Sequence, residues 1–197
     1  MFSRMTEGTP MIKRMTVSIA LTAALAAPVA AESLTEEQVA LFLDKTPAIE
    51  AVLASTNQDL SKAENKQVQN AIFDLRPYTT LTEIMATKPS MAMLDQVARK
   101  SGYDGFADYA QVFDRIFSIA ITGDMVATAA TLGEPNPDPA LSQNPYAYVN
   151  DDSNPPELRA KIRNDLNEFC QERCVNPDDM EIVGRHYEAV AEAVHVR

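Results

Sequence analysis

The segment GFADYAQVFDRIFSIAITGDMVATAATL, Gly105 to Leu132, restricts the fold more than any other part of the chain. Phe106, Tyr109, Phe113, Ile116, Phe117 and Ala120 recur at the spacing of one helix face. The later part of the segment is apolar nearly all round. A helix without a polar face has to be covered on every side, so this one is expected to run through the middle of the core, with Gly123 and Asp124 as candidate kink positions.

The remaining sequence suits a helical wrapping. Tryptophan is absent, only 6 glycines occur, and Ala, Leu, Glu and Gln are abundant, which favours helices over a turn-rich β architecture. The expected fold is therefore all-α: a single irregular helical bundle of five to six helices in one domain, residues 32–197. Thr35 with Gln38 and Ser61 with Glu64 are capping boxes that open two helices. Pro47 is expected to interrupt the first, and the second has to end before Pro77. A short piece follows near Leu81 to Ala86. Ser90 is placed to cap a helix through Leu94 and Val97, and Gly102 stands where its left-handed C-terminal residue belongs. Near the end, Leu158, Ile162, Leu166 and Phe169 form an apolar stripe. Asn176, Pro177, Asp178 and Asp179 then open a last helix whose buried face is Met180, Val183, Tyr187, Val190 and Val194.

Two stretches lie outside this pattern. Six of the 12 prolines fall within residues 133–156, a density that predicts an extended surface loop pinned by Tyr146 and Tyr148. At the other end, Lys13 and Arg14 precede MTVSIALTAALAAPVAA, Met15 to Ala31. This is the plan of a secretory signal peptide, residues 1–31, cut after Ala31, with Met11 as an alternative start. The run is too short and too rich in alanine for a membrane anchor, and nothing downstream is apolar enough to span a bilayer. A net charge of -11 argues against nucleic acid and against docking on an anionic membrane surface.

Two segments, LTEEQVALFL (34–43) and GYDGFADYAQVFDRIFSIAI (102–121), resemble stretches of small exported all-helical proteins of Proteobacteria. The resemblance implies periplasmic residence and a helical fold. It implies no activity and no functional residues.

Cys170 and Cys174, the only cysteines, lie four positions apart in NEFCQERCVNP. In an oxidising compartment an even cysteine count favours a disulfide. Positions i and i+4 of a regular helix hold their Cβ atoms about 5–6 Å apart, wider than the roughly 3.5–4.5 Å of a disulfide. The helix therefore has to loosen near Cys174, which Pro177 allows. A thiol-redox pair and a metal site remain alternatives. Cys170, Cys174 and His186 supply three ligands, but His186 and His195 fall on opposite faces of one predicted helix, about 13.5 Å apart along its axis. Glu192 and His195 make one Glu-x-x-His pair, where a di-iron bundle needs two. Met85, Met91 and Met93 suit copper(I), yet sit among Leu and Ala at core spacing. Asp151 and Asp152 miss the alternation of a calcium loop. No Gly-rich phosphate loop, nucleophile elbow or His-Glu-x-x-His run is present. The functional expectation is a non-enzymatic exported protein that binds a protein or small-molecule partner, periplasmic in a Gram-negative cell and without a cofactor. The alternative is a metal or thiol-redox carrier using Cys170 and Cys174.

Overall fold

In the computed structural model the described residues are 33–56, 59–132 and 134–194. The leader with its cleavage site and the Glu192/His195 pair, through His195, lie outside them. The described residues form ten α-helices and no strand: α1 Glu36–Thr56, α2 Lys62–Ala71, α3 Pro77–Met85, α4 Met91–Lys100, α5 Phe106–Thr131, α6 Pro139–Gln143, α7 Pro145–Asn150, α8 Pro156–Arg173, α9 Met180–Arg185 and α10 Tyr187–Ala193, with a 3-10 turn over Pro177–Asp179 before α9.

Helix α5 is the axis of the fold, and α1, α3, α4 and α6 to α10 all pack against it. It runs unbroken past Gly123 and Asp124. Its sides are buried in nearly every direction: Phe106, Tyr109, Ile116, Ile119 and Ala120 are all but inaccessible. Gly123 serves close approach rather than a kink. A Cβ there would stand 2.7 Å from ring carbons of both Tyr146 and Tyr187. Neither ring could keep its seat on α5 beside a larger residue.

Several boundaries follow directly from capping chemistry. The Thr35 and Gln38 pair closes as read, with Thr35 N–H donating to Gln38 Oε1 at 2.9 Å. Ser61 and Glu64 form the full capping box. Gly102 is left-handed, φ 100°, and the chain turns there, with Tyr103 N–H donating to the Ala98 carbonyl at 3.1 Å. Leu75 closes α2 in the same left-handed region, φ 56°, unusual for a residue with a side chain. Its side chain is 4 % exposed, and core burial holds the turn in place.

Other boundaries depart from the sequence reading. Helix α1 passes straight through Pro47. An interior proline costs about 3 kcal/mol, and burial of Val39, Phe42, Ile49 and Leu53 on one face outweighs it. The stretch 133–156 is not a continuous loop, since α6 and α7 lie within it. Each begins with proline at its first position behind an Asx cap: Asp138 accepts from Ala140 N–H and Asn144 from Ala147 N–H, both at 2.9 Å. A proline in that place starts a helix instead of breaking one. Tyr146 and Tyr148 do pin this region, both buried, with the Tyr146 hydroxyl donating to the Ile119 carbonyl at 2.8 Å. Ser90 precedes α4 without a side-chain cap bond, and its buried hydroxyl has no hydrogen-bond partner among the described residues. The last helix is divided in three by the 3-10 turn and by a break at His186. Gly184, a poor helix former, sits where a Cβ would meet the Tyr146 ring at 2.8 Å.

Glu64 carries a measurable signature of this fold. Lys88, bonded at 2.8 Å, and then the Ser61 backbone and hydroxyl hold its carboxyl down at about 2. A carboxyl depressed in the folded state contributes stability above its unfolded value and loses it as pH falls toward the folded one. Between pH ~4.5 and ~2 the Glu64→Gln variant is therefore expected to lose less stability than the parent, read from urea midpoints at each pH.

Candidate functional site

The sequence candidates separate in space. Helix α8 ends at Arg173, and Cys174 takes an extended conformation, φ -68° and ψ 146°. The two sulfurs then come to bonding distance, 2.12 Å, with Cα atoms 4.7 Å apart. Cys170 is buried, and Cys174 Sγ rests 3.6 Å from the Thr122 hydroxyl of α5. His186 stands at the α9–α10 break, its Nε2 2.7 Å from Glu36 Oε2 at the start of α1. Among the described residues no three His, Cys, Asp or Glu side chains stand close enough to hold a metal ion. Met85 is fully buried while Met93 is 53 % exposed, so the methionines do not converge and Met93 is no core residue. Asp152 pairs with Arg159 at 2.6 Å, and Asp151 accepts from Ser153 N–H at 2.9 Å.

The bridge closes a short loop at the corner between α8 and the 3-10 turn. Chain entropy for so short a loop predicts a contribution of about 2 kcal/mol. The Cys170→Ser/Cys174→Ser double variant is expected to lose about that much with its far-UV circular dichroism unchanged, read by urea unfolding.

A groove of about 590 Å³ lies between α7, α8 and α9. Its floor is Tyr146, Val149, Leu166 and Met180, and its rim carries Asn144, Asn150, Asn167, Arg163, Glu181 and Arg185. The floor is apolar because α7 lays Tyr146 and Val149 against the Leu166 row of α8. Gly184 lets α9 approach the Tyr146 ring closely, since a Cβ there would stand 2.8 Å from it. The rim groups differ in their freedom. Arg163 donates to the Val149 carbonyl at 2.6 Å, and Arg185 is held by Glu36 and Glu181. The Asn167 amide makes no hydrogen bond within the described residues, so its donor and its acceptor are both unspent there. The sequence reading did not assemble this groove. The Asn144–Pro145 pair is the signal that could have placed α7, and with it the Tyr146 wall.

A separate polar constellation joins α1, α3 and α5. The Tyr78 hydroxyl makes a short hydrogen bond to Glu50 Oε1, and the Tyr109 hydroxyl lies 3.4 Å from both that oxygen and Thr46 Oγ1. Burial pushes both phenols far above the ordinary tyrosine value, and the nearby Glu50 adds to the shift, so both stay protonated donors. Beside them Asp114 of α5 accepts from Tyr78 N–H at 2.9 Å and Thr79 N–H at 2.8 Å. It thereby caps α3 from a neighbouring helix, where Arg76 supplies no side-chain cap.

No helix among the described residues is long and apolar enough to cross a membrane. Comparison of the chain with protein-family models, with curated proteins and with solved structures finds no match.

Proposed function

We propose that the chain is an exported, non-enzymatic protein, a signal peptide followed by one irregular helical bundle, that works by binding a small amphipathic molecule or short peptide in the groove between α7, α8 and α9. The observation that carries this reading is the groove itself. Its volume of about 590 Å³ lies within the range of small-molecule sites, and an apolar floor under a few polar rim groups is their usual composition. Asn144 Oδ1 caps α7 and Asn150 Nδ2 donates to the Tyr146 carbonyl, which leaves the Asn144 amide N–H, the Asn150 oxygen and both sides of Asn167 for a ligand with carbonyl, amide or hydroxyl groups. Export to the periplasm is supported by the leader at Met15 to Ala31, by the resemblance of segments 34–43 and 102–121, and by a cysteine pair at bonding distance.

The alternative of a thiol-redox carrier requires a sulfur that a partner thiol can reach. Cys170 is 1 % exposed, and Cys174 is half-covered against Thr122, which favours a structural bridge.

The test begins with the full chain expressed in a Gram-negative host and recovered from the periplasm. Intact mass with and without reductant and alkylation reads the cut after Ala31 and the cysteine state together. Native mass spectrometry of the same material reads bound small molecules. Ala147 is exposed at the groove, and Ala147→Trp is expected to lose any co-purified ligand while keeping the melting temperature. A stoichiometric metal lost on Cys→Ser substitution would establish the carrier instead. An unprocessed product in the cytoplasm would remove the export reading.

A further inference from the structure

A smaller slot of about 240 Å³ opens between α1, α2, α3 and the C-terminal end of α10. Its apolar walls include Val68, Ile72, Val194 and, from α5, Phe113 and Phe117, and Glu50 and Tyr78 are its polar groups. Tyr78 and Phe113 are stacked with centroids 3.6 Å apart, and Phe117 stacks on Phe113 at 5.8 Å. Among the described residues that line the slot, Glu50 is the only Asp, Glu, Lys, Arg or His.

The carboxylate is not used up by the fold. Its Oε1 takes the Tyr78 hydroxyl and lies near that of Tyr109, and its Oε2 accepts no hydrogen bond from the described residues. None of the ion pairs among the described residues includes it. A half-buried carboxylate beside an apolar slot attracts a cation more strongly than the same group in water would. Aromatic rings add to the attraction for an ammonium. Glu50 alone is too few oxygens for a calcium or magnesium site, which takes six or more. An anion is repelled, and a neutral alcohol gains a hydrogen bond without the charge term.

We infer that this slot binds a small organic amine, with its ammonium on the free oxygen of Glu50 and its apolar body between Ile72, Phe117 and Val194. The volume corresponds to about eight waters of liquid, the size of an ammonium carried on one phenyl ring or a short branched chain. Ile72, 43 % exposed, stands at the mouth. The site is separate from the groove between α7, α8 and α9, and each stands or falls alone.

The probe is 2-phenylethylamine, with 2-phenylethanol and 3-phenylpropionate as matched neutral and anionic compounds. Binding is read by calorimetry and by amide chemical shifts of the protein at pH 7. The amine is expected to bind at least ten-fold more tightly than the alcohol, the acid not at all, with shifts at Ile72, Tyr78 and Val194. Glu50→Gln keeps an oxygen for the tyrosine hydroxyls and removes the charge, so amine affinity should fall to that of the alcohol. Ile72→Trp blocks the mouth from an exposed position and should abolish binding with an unchanged melting curve, which covers the case that Glu50→Gln does not fold. If Glu50 serves only to hold Tyr78 and Tyr109, the unmodified protein prefers the alcohol or neither compound, and the inference is overturned. It is equally overturned if Glu50→Gln retains full amine affinity. Shifts at Ala147 and Asn167 instead would place the amine in the larger groove, overturning this site without touching the other.

Discussion

Asp179→Ala is expected to cost about 3–5 kcal/mol, seen as a fall in melting temperature of roughly 10 °C. Asp179 is wholly buried at the 3-10 turn before α9. Its carboxylate meets Arg115 of α5 through two parallel bonds, Nε to Oδ2 at 2.6 Å and Nη2 to Oδ1 at 2.7 Å. The same Oδ1 accepts from Leu34 N–H at 2.7 Å. Truncation removes the acceptor of that backbone donor and takes this carboxylate from a guanidinium that is 14 % exposed. The loss is a penalty for the buried groups left behind more than the net worth of the pair. Replacing both partners together, Arg115→Met with Asp179→Leu, should therefore recover most of it. A double-mutant cycle in urea, with unchanged slope and shifted midpoint, reads the difference.

Asp114→Ala is the second large effect, about 2–3 kcal/mol at pH 7, because it deletes a charged acceptor of two backbone donors at the start of α3. Asp114→Asn keeps one acceptor oxygen and should lose less. The pair also has a pH signature. Burial raises the Asp114 carboxyl above its ordinary value, and the bonds from Thr79 and Tyr78 only partly oppose this. Above pH ~3.8 the folded state then holds more protons at this site than the unfolded state does. Its contribution to stability thus falls as pH rises through the window above 3.8, opposite in sign to Glu64. Relative to Asp114→Asn, the parent should gain stability as pH is lowered from neutral toward that value. A stability difference independent of pH between 7 and 4 would contradict the placement of this carboxyl.

The all-helical class and the central segment were legible because α5 is apolar on nearly every side, a pattern that only burial satisfies. The caps at Thr35, Ser61 and Asn176 and the turn at Gly102 were legible because their chemistry is local. Local chemistry misled where a residue has two uses. Proline density alone predicts a loop at 139 and 145, although Asp138 and Asn144 place these prolines in the same cap-then-proline grammar as Asn176–Pro177. Pro47 predicts an interruption with a second segment after it because its cost is local, whereas the burial that overrides it comes from distant helices. The corner at Cys170 and Cys174 could be foreseen, since four residues and a nearby proline contain the whole argument. The two concavities could not. Leu166, Tyr146 and Met180 come from three helices, and Glu50 meets Tyr78 across 28 positions of sequence that carry no mark of the pairing.

The bond from Leu34 to Asp179 spans 145 positions, and Glu36 reaches Arg185 and His186 across 149 and 150. The first described helix is thus fastened by the last two. In a polypeptide delivered amino end first, as the export proposal requires, α1 could pack on α3, α4 and α5 early, whereas the acceptor for Leu34 N–H and the cations that hold Glu36 would come only when nearly the whole length has emerged. Long-range closures of this kind form late and slowly. Under the export proposal, this clasp would be the last part of the fold to close.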